Sequence, residues 1–238
     1  MRAPTCSDAV LRGRLRECDR LLPRPSLAPP ETLTTVPWKE FCDTAGPWLP
    51  RCVEEWQERG GFRHRRAGLV LVAFRAGWLA CCASVPEYHL AAPIPALSTL
   101  DAQIDEHGRL RALTATEVAV DPDADRWWKE MRAFFTPLAE SLHALGGPPA
   151  SSHEYWGNPV GLLGTVLWRL QRAGLPGDAV HSATELREAT GLVKLLDLDR
   201  EPPGPWARRR TCCQWWRRAD GGYCDECVLW NSRSRKSE

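Results

Sequence analysis

The chain has 238 residues, 43% of them apolar, enough for one sizeable core or for one core with a small appendage. A formal net charge of +1 argues against a general nucleic-acid binder, which is usually strongly basic. Ten cysteines would suit a secreted disulfide protein, but the opening MRAPTCSDAVLRGRLRECDRLL has no apolar signal-peptide centre, so a cytoplasmic, reducing compartment is expected.

In chain order, Ser7 suits a helix N-cap, and Val10, Leu11, Leu15, Cys18 and Leu22 follow at helical spacing. Pro23, Pro25, Pro29 and Pro30 predict an irregular connection. A second amphipathic helix carries Leu49, Cys52, Val53 and Trp56 on one face and stops at Gly60 and Gly61. The longest apolar run, Ala67 to Val85, is broken by Arg75. A membrane span needs about 20 apolar residues. The run therefore reads as a buried core helix, without a transmembrane span, although its β-branched residues leave a strand open.

Arg109 to Val120 carries partial alternation and predicts one or two strands. Asp121 to Asp125 predicts an acidic turn, too short and glycine-poor for an EF-hand loop, with Asp125 as cap of a helix from Arg126 to about Leu145. Trp127, Met131, Phe134, Phe135, Leu138 and Leu142 would face the core. Asn158-Pro159 is expected to open a helix running to Gln171, because Asn caps well and Pro suits the first turn. The pair His153-Glu154 then falls in a loop. Ser182 and Glu185 form a capping-box pattern for a helix of about Ala183 to Leu196. EPPGP, Glu201 to Pro205, reads as a hinge or linker. The expected fold is α+β and helix-rich, with a small antiparallel sheet. A body over 1–205 is followed by a cysteine-bearing segment over 206–238.

Charge is uneven. Residues 101–130 hold eight acids and four bases, whereas 206–238 holds seven arginines and one lysine against four acids. Within that basic segment, Cys212, Cys213, Cys224 and Cys227 stand in the pattern C-C-x10-C-x2-C. Four thiolates hold one zinc ion or one iron–sulfur cluster. Structural zinc sites usually use two C-x2-C knuckles, and only Cys224 and Cys227 make one. Adjacent cysteines diverge in extended backbone, which suits a larger two-metal cluster better than one small ion. Arg208, Arg209, Arg210, Arg217 and Arg218 would offset a cluster's negative charge. Spacing and charge favour [2Fe–2S] and leave zinc open. Cys81-Cys82 has no C-x2-C partner nearby and reads as a pair of small buried residues, as do Cys6, Cys18, Cys42 and Cys52.

The stretch RRTCCQWWRRADGGYCDECVLW, Arg209 to Trp230, resembles the C-terminal signature of the FhuF-type ferric-siderophore reductases. SSHEYWGNPVGLLGTVLWRL, Ser151 to Leu170, is similar to that family's W-[GS]-N segment with its apolar helix. Arg65 to Val85 and Arg109 to Val120 are similar to its long helix and strand region. Residues 1–60 do not align with the family pattern. The resemblance implies a [2Fe–2S] cluster on Cys212, Cys213, Cys224 and Cys227. It also implies a body like the C-terminal part of IucA/IucC-type siderophore synthetases, and one-electron reduction of a ferric siderophore, with hydroxamates as the guess. Iron(III) sits well among hard oxygen donors and iron(II) poorly, so one electron releases the metal.

The chain has no nucleophile elbow, Walker loop or G-x-G-x-x-G, and Gly157, Gly161 and Gly164 lack dinucleotide spacing. Electrons would therefore come from a separate donor, such as a reduced ferredoxin or a reductase, with room for peripheral membrane association. Candidate substrate contacts are Trp156, Trp215, Trp216, Arg217 and Arg218. Trp215, Trp216, Tyr223 and Trp230 equally suit packing of the tail onto the body, and Trp156 a structural anchor. Two other readings stay open: a binding protein with a structural zinc tail, and an iron–sulfur carrier or sensor without a siderophore site.

Overall fold

The computed structural model describes residues 8–23, 32–114, 119–198, 206–219, 222–224 and 227–228. In chain order these form α1 (Asp8–Leu21), β1 (Thr34–Pro37), α2 (Trp38–Phe41), α3 (Trp48–Gly60) and α4 (Arg65–His89). There follow β2 (Ile94–Pro95), β3 (Asp101–Ile104), β4 (Leu110–Thr114), β5 (Ala119–Val120) and α5 (Ala124–Ala144). The order closes with α6 (His153–Arg172), α7 (Ala179–Thr190), β6 (Leu196–Asp197) and β7 (Arg208–Arg209). The protein is helix-rich, with small antiparallel sheets ordered β1-β3-β4, β2-β5 and β6-β7.

The apolar run becomes α4, the axis of the fold. Its 18-residue core is apolar and long enough to cross a membrane, yet 83% of that window is buried within the protein. Most of its circumference meets other elements: α3, α5, α6, α7 and β4 all pack on it. A helix apolar all round needs such all-round cover. The tightest approach is to α6, where a Cβ on Gly77 would lie 3.3 Å from the Pro159 nitrogen. One turn on, the Cys81 thiol donates to the Pro159 carbonyl at 3.3 Å. Cys81 and Cys82 are fully buried, as are Cys18, Cys42 and Cys52. Burial pushes the Cys42 and Cys52 thiols up to about 12, so these cysteines are neutral packing groups. Cys6 lies outside the described residues.

Tryptophans bolt α5 to its neighbours. Trp38 donates its indole N–H to the Phe134 carbonyl at 2.7 Å and stacks on the Phe134 ring. Trp127, fully buried, donates to Ser84 Oγ at 2.9 Å, and Ser84 in turn donates to the Ala80 carbonyl. All six α5 residues expected in the core are there. The α3 face is likewise as read, and Gly61 ends that helix in the left-handed region at φ 59. Cys18 of α1 and Leu22 just after it reach the core, but Val10 is 48% exposed, and Ser7 lies outside the described residues.

Four boundaries differ from the sequence reading, each because another group won the contest for a helix end. The α5 cap is Asp123, which accepts from Arg126 N, and Asp125 sits inside the first turn. Helix α6 starts at His153 on a Ser152 cap, five residues before Asn158. Asn158 and Pro159 are interior. Pro159 makes no bond back to the Tyr155 carbonyl and is held instead by close packing on α4, while the Asn158 side chain donates to the neighbouring Glu154 carbonyl at 3.0 Å. His153 and Glu154 are therefore helical, and Glu154 accepts from Arg66 Nε at 3.1 Å. Helix α7 starts on an Asp178 cap and ends at Gly191. Ser182 lies inside it, bonded to His89 Nδ1 at 2.9 Å, and Glu185 accepts from the Tyr88 hydroxyl. The predicted linker Glu201–Pro205 lies outside the described residues.

Candidate iron–sulfur site

The cysteines owe their placement to α6. Gly157, Gly161 and Gly164 fall at i, i+4 and i+7, on one helix face. Ala207, Arg209 and Thr211 alternate along an extended chain, on one strand face. The two faces meet. A Cβ on Gly161 would lie 2.7 Å from Arg209 Cγ, and one on Gly164 would lie 2.6 Å from Ala207 Cβ. A Cβ on Gly157 would overlap the Thr211 side chain outright. The glycines thus form a seat for the chain entering the cysteine segment. On its other edge, β7 pairs antiparallel with β6, Leu196 opposite Arg209 and Asp197 opposite Arg208. Arg210 extends the clamp, its N–H reaching the Leu195 carbonyl at 2.9 Å and its guanidinium the Asp197 carboxylate at 2.6 Å.

Beyond the cysteine pair, Trp215–Arg217 forms a 3-10 turn that lies on the start of α4. Trp215 packs near Phe62, Ala67 and Leu71. Ala219 N donates to the Gly60 carbonyl at 3.1 Å, and the missing side chain of Gly61 makes room for the Ala219 methyl. The segment is thereby tied at both ends of its first cysteine pair, to α6 and to the α3–α4 corner.

Between these ties the thiols gather. Cys213 Sγ lies 3.5 Å from Cys224 Sγ. Two thiolates on one tetrahedral metal, with bonds of about 2.3 Å, are about 3.7 Å apart. Arg209 is buried, donates from Nη2 to Cys224 Sγ at 3.4 Å and stacks on Phe74 at 5.1 Å. The Cys224 thiol and the Arg209 guanidinium hold Cys213 well below the usual thiol range, and Cys224 is pushed up as the partner that keeps the shared proton. Cys212 accepts from Gln214 N at 3.4 Å, with Gln214 in the left-handed region at φ 65, and burial raises its thiol. Cys227 is buried, its N–H bonded to the Cys224 carbonyl at 2.9 Å. Among the described residues, no three cysteine, histidine or acidic side chains converge at single-ion spacing. A four-sulfur donor set with one pair at one-metal distance, and a buried guanidinium against it, fits the ligand demand of a [2Fe–2S] group.

Cys213 and Cys224 also form part of the wall of a cavity of about 340 Å³. Leu71, Phe74, Arg75 and Trp78 of α4 line it at one helical face, with Trp56 of α3 and Trp215 of the tail. From α6 come Thr165 and Arg169, whose guanidinium lies 4.9 Å over the Trp78 ring. Sequence reasoning missed this face, taking Arg75 only as a break in an apolar run. The i, i+3, i+4, i+7 spacing of residues 71, 74, 75 and 78 was the available signal.

Of the residues expected near a substrate, Trp215 lines this cavity. Trp216, Arg217 and Arg218 lie on a separate groove with Arg63 and His64. Trp156 sits elsewhere: its ring meets Trp128 and Phe135 edge-on, and its N–H donates to the Ala150 carbonyl. Trp230 lies outside the described residues. The five arginines do not act alike. Arg209 donates to the Cys224 sulfur and Arg208 to the Val228 carbonyl; Arg210 is paired with Asp197, and Arg217 and Arg218 stack on Trp216 and Trp215.

Residues 209–229 match the family model described as the FhuF 2Fe-2S C-terminal domain. Cys212, Cys213, Cys224 and Cys227 all fall inside that match and fit its motif. The C-terminal segment is therefore similar to the FhuF 2Fe-2S domain, and its cofactor is a [2Fe–2S] cluster. No curated protein matches the chain.

Proposed function

We propose that the protein is a [2Fe–2S] ferric-siderophore reductase of the cytoplasm, with Cys212, Cys213, Cys224 and Cys227 as the cluster ligands. The observation that carries this reading is the match of the FhuF 2Fe-2S domain to a segment in which two of the four thiols, Cys213 and Cys224, meet at the wall of a cavity. The cluster supplies one electron at a time, enough to convert iron(III) in a hard-oxygen chelate to iron(II), which such donors hold weakly. The chain's own residues hold and screen that chemistry. Arg209 offsets negative charge at the sulfurs, and the α6 glycines fix the register of the ligand-bearing segment. Trp215 and the α3–α4 corner cover one side. Each iron(II) released would need one electron from a separate protein, a reduced ferredoxin or a reductase, which would itself be oxidised by one electron.

The test is the visible absorption and metal content of protein purified without oxygen, followed by single-turnover reduction. A red-brown protein with about two irons and two sulfides per chain is expected. After chemical reduction it should release iron(II) from a ferric siderophore to a colorimetric chelator. A colourless protein holding one zinc would overturn the cluster assignment. A coloured protein that leaves every ferric siderophore untouched would instead be an electron carrier.

A further inference from the structure

The four thiols do not stand in equivalent places. Cys213 Sγ and Cys224 Sγ are 3.5 Å apart, against about 3.7 Å for two thiolates on one tetrahedral metal, and both line the cavity. Cys212 is half-buried and stands outside the cavity wall. A [2Fe–2S] group with four cysteine ligands takes two thiolates on each iron. The donors that reach the sulfurs differ as well. Cys212 accepts from Gln214 N at 3.4 Å and from the Trp216 side chain, both uncharged groups. Cys224 accepts at 3.4 Å from the Arg209 guanidinium, whose charge also acts on Cys213. That guanidinium is held on several sides. Its stem rests on the bare face of Gly161, its charged end stacks on Phe74 at 5.1 Å, and its backbone lies in the β6–β7 pair. An arginine keeps its charge at any working pH.

We propose that Cys213 and Cys224 hold one iron of the cluster and Cys212 and Cys227 the other, and that Arg209 makes the first of these the iron that takes the electron. The pairing splits Cys224 and Cys227 over two metals, where a zinc knuckle keeps a C-x2-C pair on one. Two iron(III), two sulfides and four thiolates carry about −2 together, and reduction brings the unit to about −3. A cationic N–H at a sulfur stabilises the added charge more than a neutral donor does, so the electron settles on the iron whose ligands Arg209 faces. Asp225 and Glu226 lie outside the described residues, and the assignment rests on the direct bond at sulfur, not on local net charge. The reducible iron is then the one at the cavity wall. Arg209 acts as a positioning residue for the electron within the proposed reductase, and this role rests on that reading's cluster.

The full chain, purified without oxygen, serves for the test. R209Q removes the charge and keeps the Cβ and Cγ that rest on Gly161. Its cluster should be harder to reduce, with the equilibrium against a redox dye moved about tenfold or more toward the oxidised form, as for loss of a hydrogen bond to a charged group. R217Q removes one charge from the same segment at an exposed position and should move that equilibrium far less. Mössbauer spectra of the reduced, isotope-enriched protein should resolve one iron(II) and one iron(III) component, and R209Q should shift the quadrupole splitting of the iron(II) component. If R209Q does not retain iron, R209K decides. It keeps the charge but loses the flat stack on Phe74, and the same component should move. An equilibrium that R209Q moves no more than R217Q does, or a change confined to the iron(III) component, would overturn the role of Arg209. A shift shared equally by both components would put Cys213 and Cys224 on different irons and overturn the pairing. Iron and sulfide content of the parent keeps the readings apart: a parent without a cluster counts against the reductase and this assignment together, and a loaded parent with any of those results counts against this assignment alone.

Discussion

Helix α6 serves two interfaces built on opposite principles. Toward α4 it offers Asn158, Pro159 and a continuous apolar surface, buried as part of one large core. Toward the cysteine segment it offers Gly157, Gly161 and Gly164, with no side chain at all. The first contact is held by apolar area, which is non-directional and forgiving. The second is held by close approach and a two-residue ladder, which fix position but bury little. The body is thus built for stability and the tail seat for placement, and damage to the two should look different.

The largest effect is expected in the body. Trp127→Ala leaves a large cavity beside Ser84 and should cost about 3–5 kcal/mol, read as a fall in the thermal midpoint, with any bound cluster lost along with the fold. Next come the ligands. Serine at Cys212, Cys213, Cys224 or Cys227 should abolish the visible absorption of the anaerobically purified protein, while far-ultraviolet circular dichroism stays as in the parent. If all four single variants kept full iron, these thiols would not be the ligands.

A subtler break is Gly157→Val. The added methyls collide with Thr211, and overpacking of this kind costs about 1–3 kcal/mol. The strain should be relieved by release of the tail and not by unfolding of the body. Iron occupancy should therefore fall while the melting transition barely moves. A melting point that fell as far as that of Trp127→Ala would show the seat to be part of the core.

The last effect shows only on the alkaline side. Cys42 and Cys52 ionise near 9.0 in the unfolded chain and about 12 when buried. Between those values the unfolded state binds fewer protons than the native one, so these thiols make stability fall as pH rises from 9 to 12 and leave it unchanged below. Chemical denaturation across that window should show a shallower decline in Cys52→Ala than in the parent. Identical slopes would mean that Cys52 is not held protonated.

Much of the site was legible in the chain, because a cluster motif is covalent spacing: two adjacent cysteines and a C-x2-C pair read the same in any fold. The helices with one apolar stripe were legible for a similar reason, since α3 and α5 declare their buried faces at period 3.6. Helix starts were harder. Asp123 against Asp125, and Ser152 against Asn158, are choices among nearby groups with similar local merit, decided by which one the packing leaves free to turn. The glycines were visible, but their role as a seat was not. They lacked the spacing for a dinucleotide, and nothing local says that a bare helix face awaits a chain segment 43 to 54 residues further on.

The sequence by itself determined a four-thiol metal site with [2Fe–2S] favoured over zinc, the helix-rich architecture and a buried central apolar run, because each rests on residue types at short fixed intervals. Tertiary structure alone decided which arginine meets the sulfurs, that Trp156 lies away from them, and that Arg75, Trp78 and Arg169 share a wall with Cys213 and Cys224. Those facts depend on where separate helices cross, and a crossing is set by the summed packing of surfaces that no short stretch of chain contains.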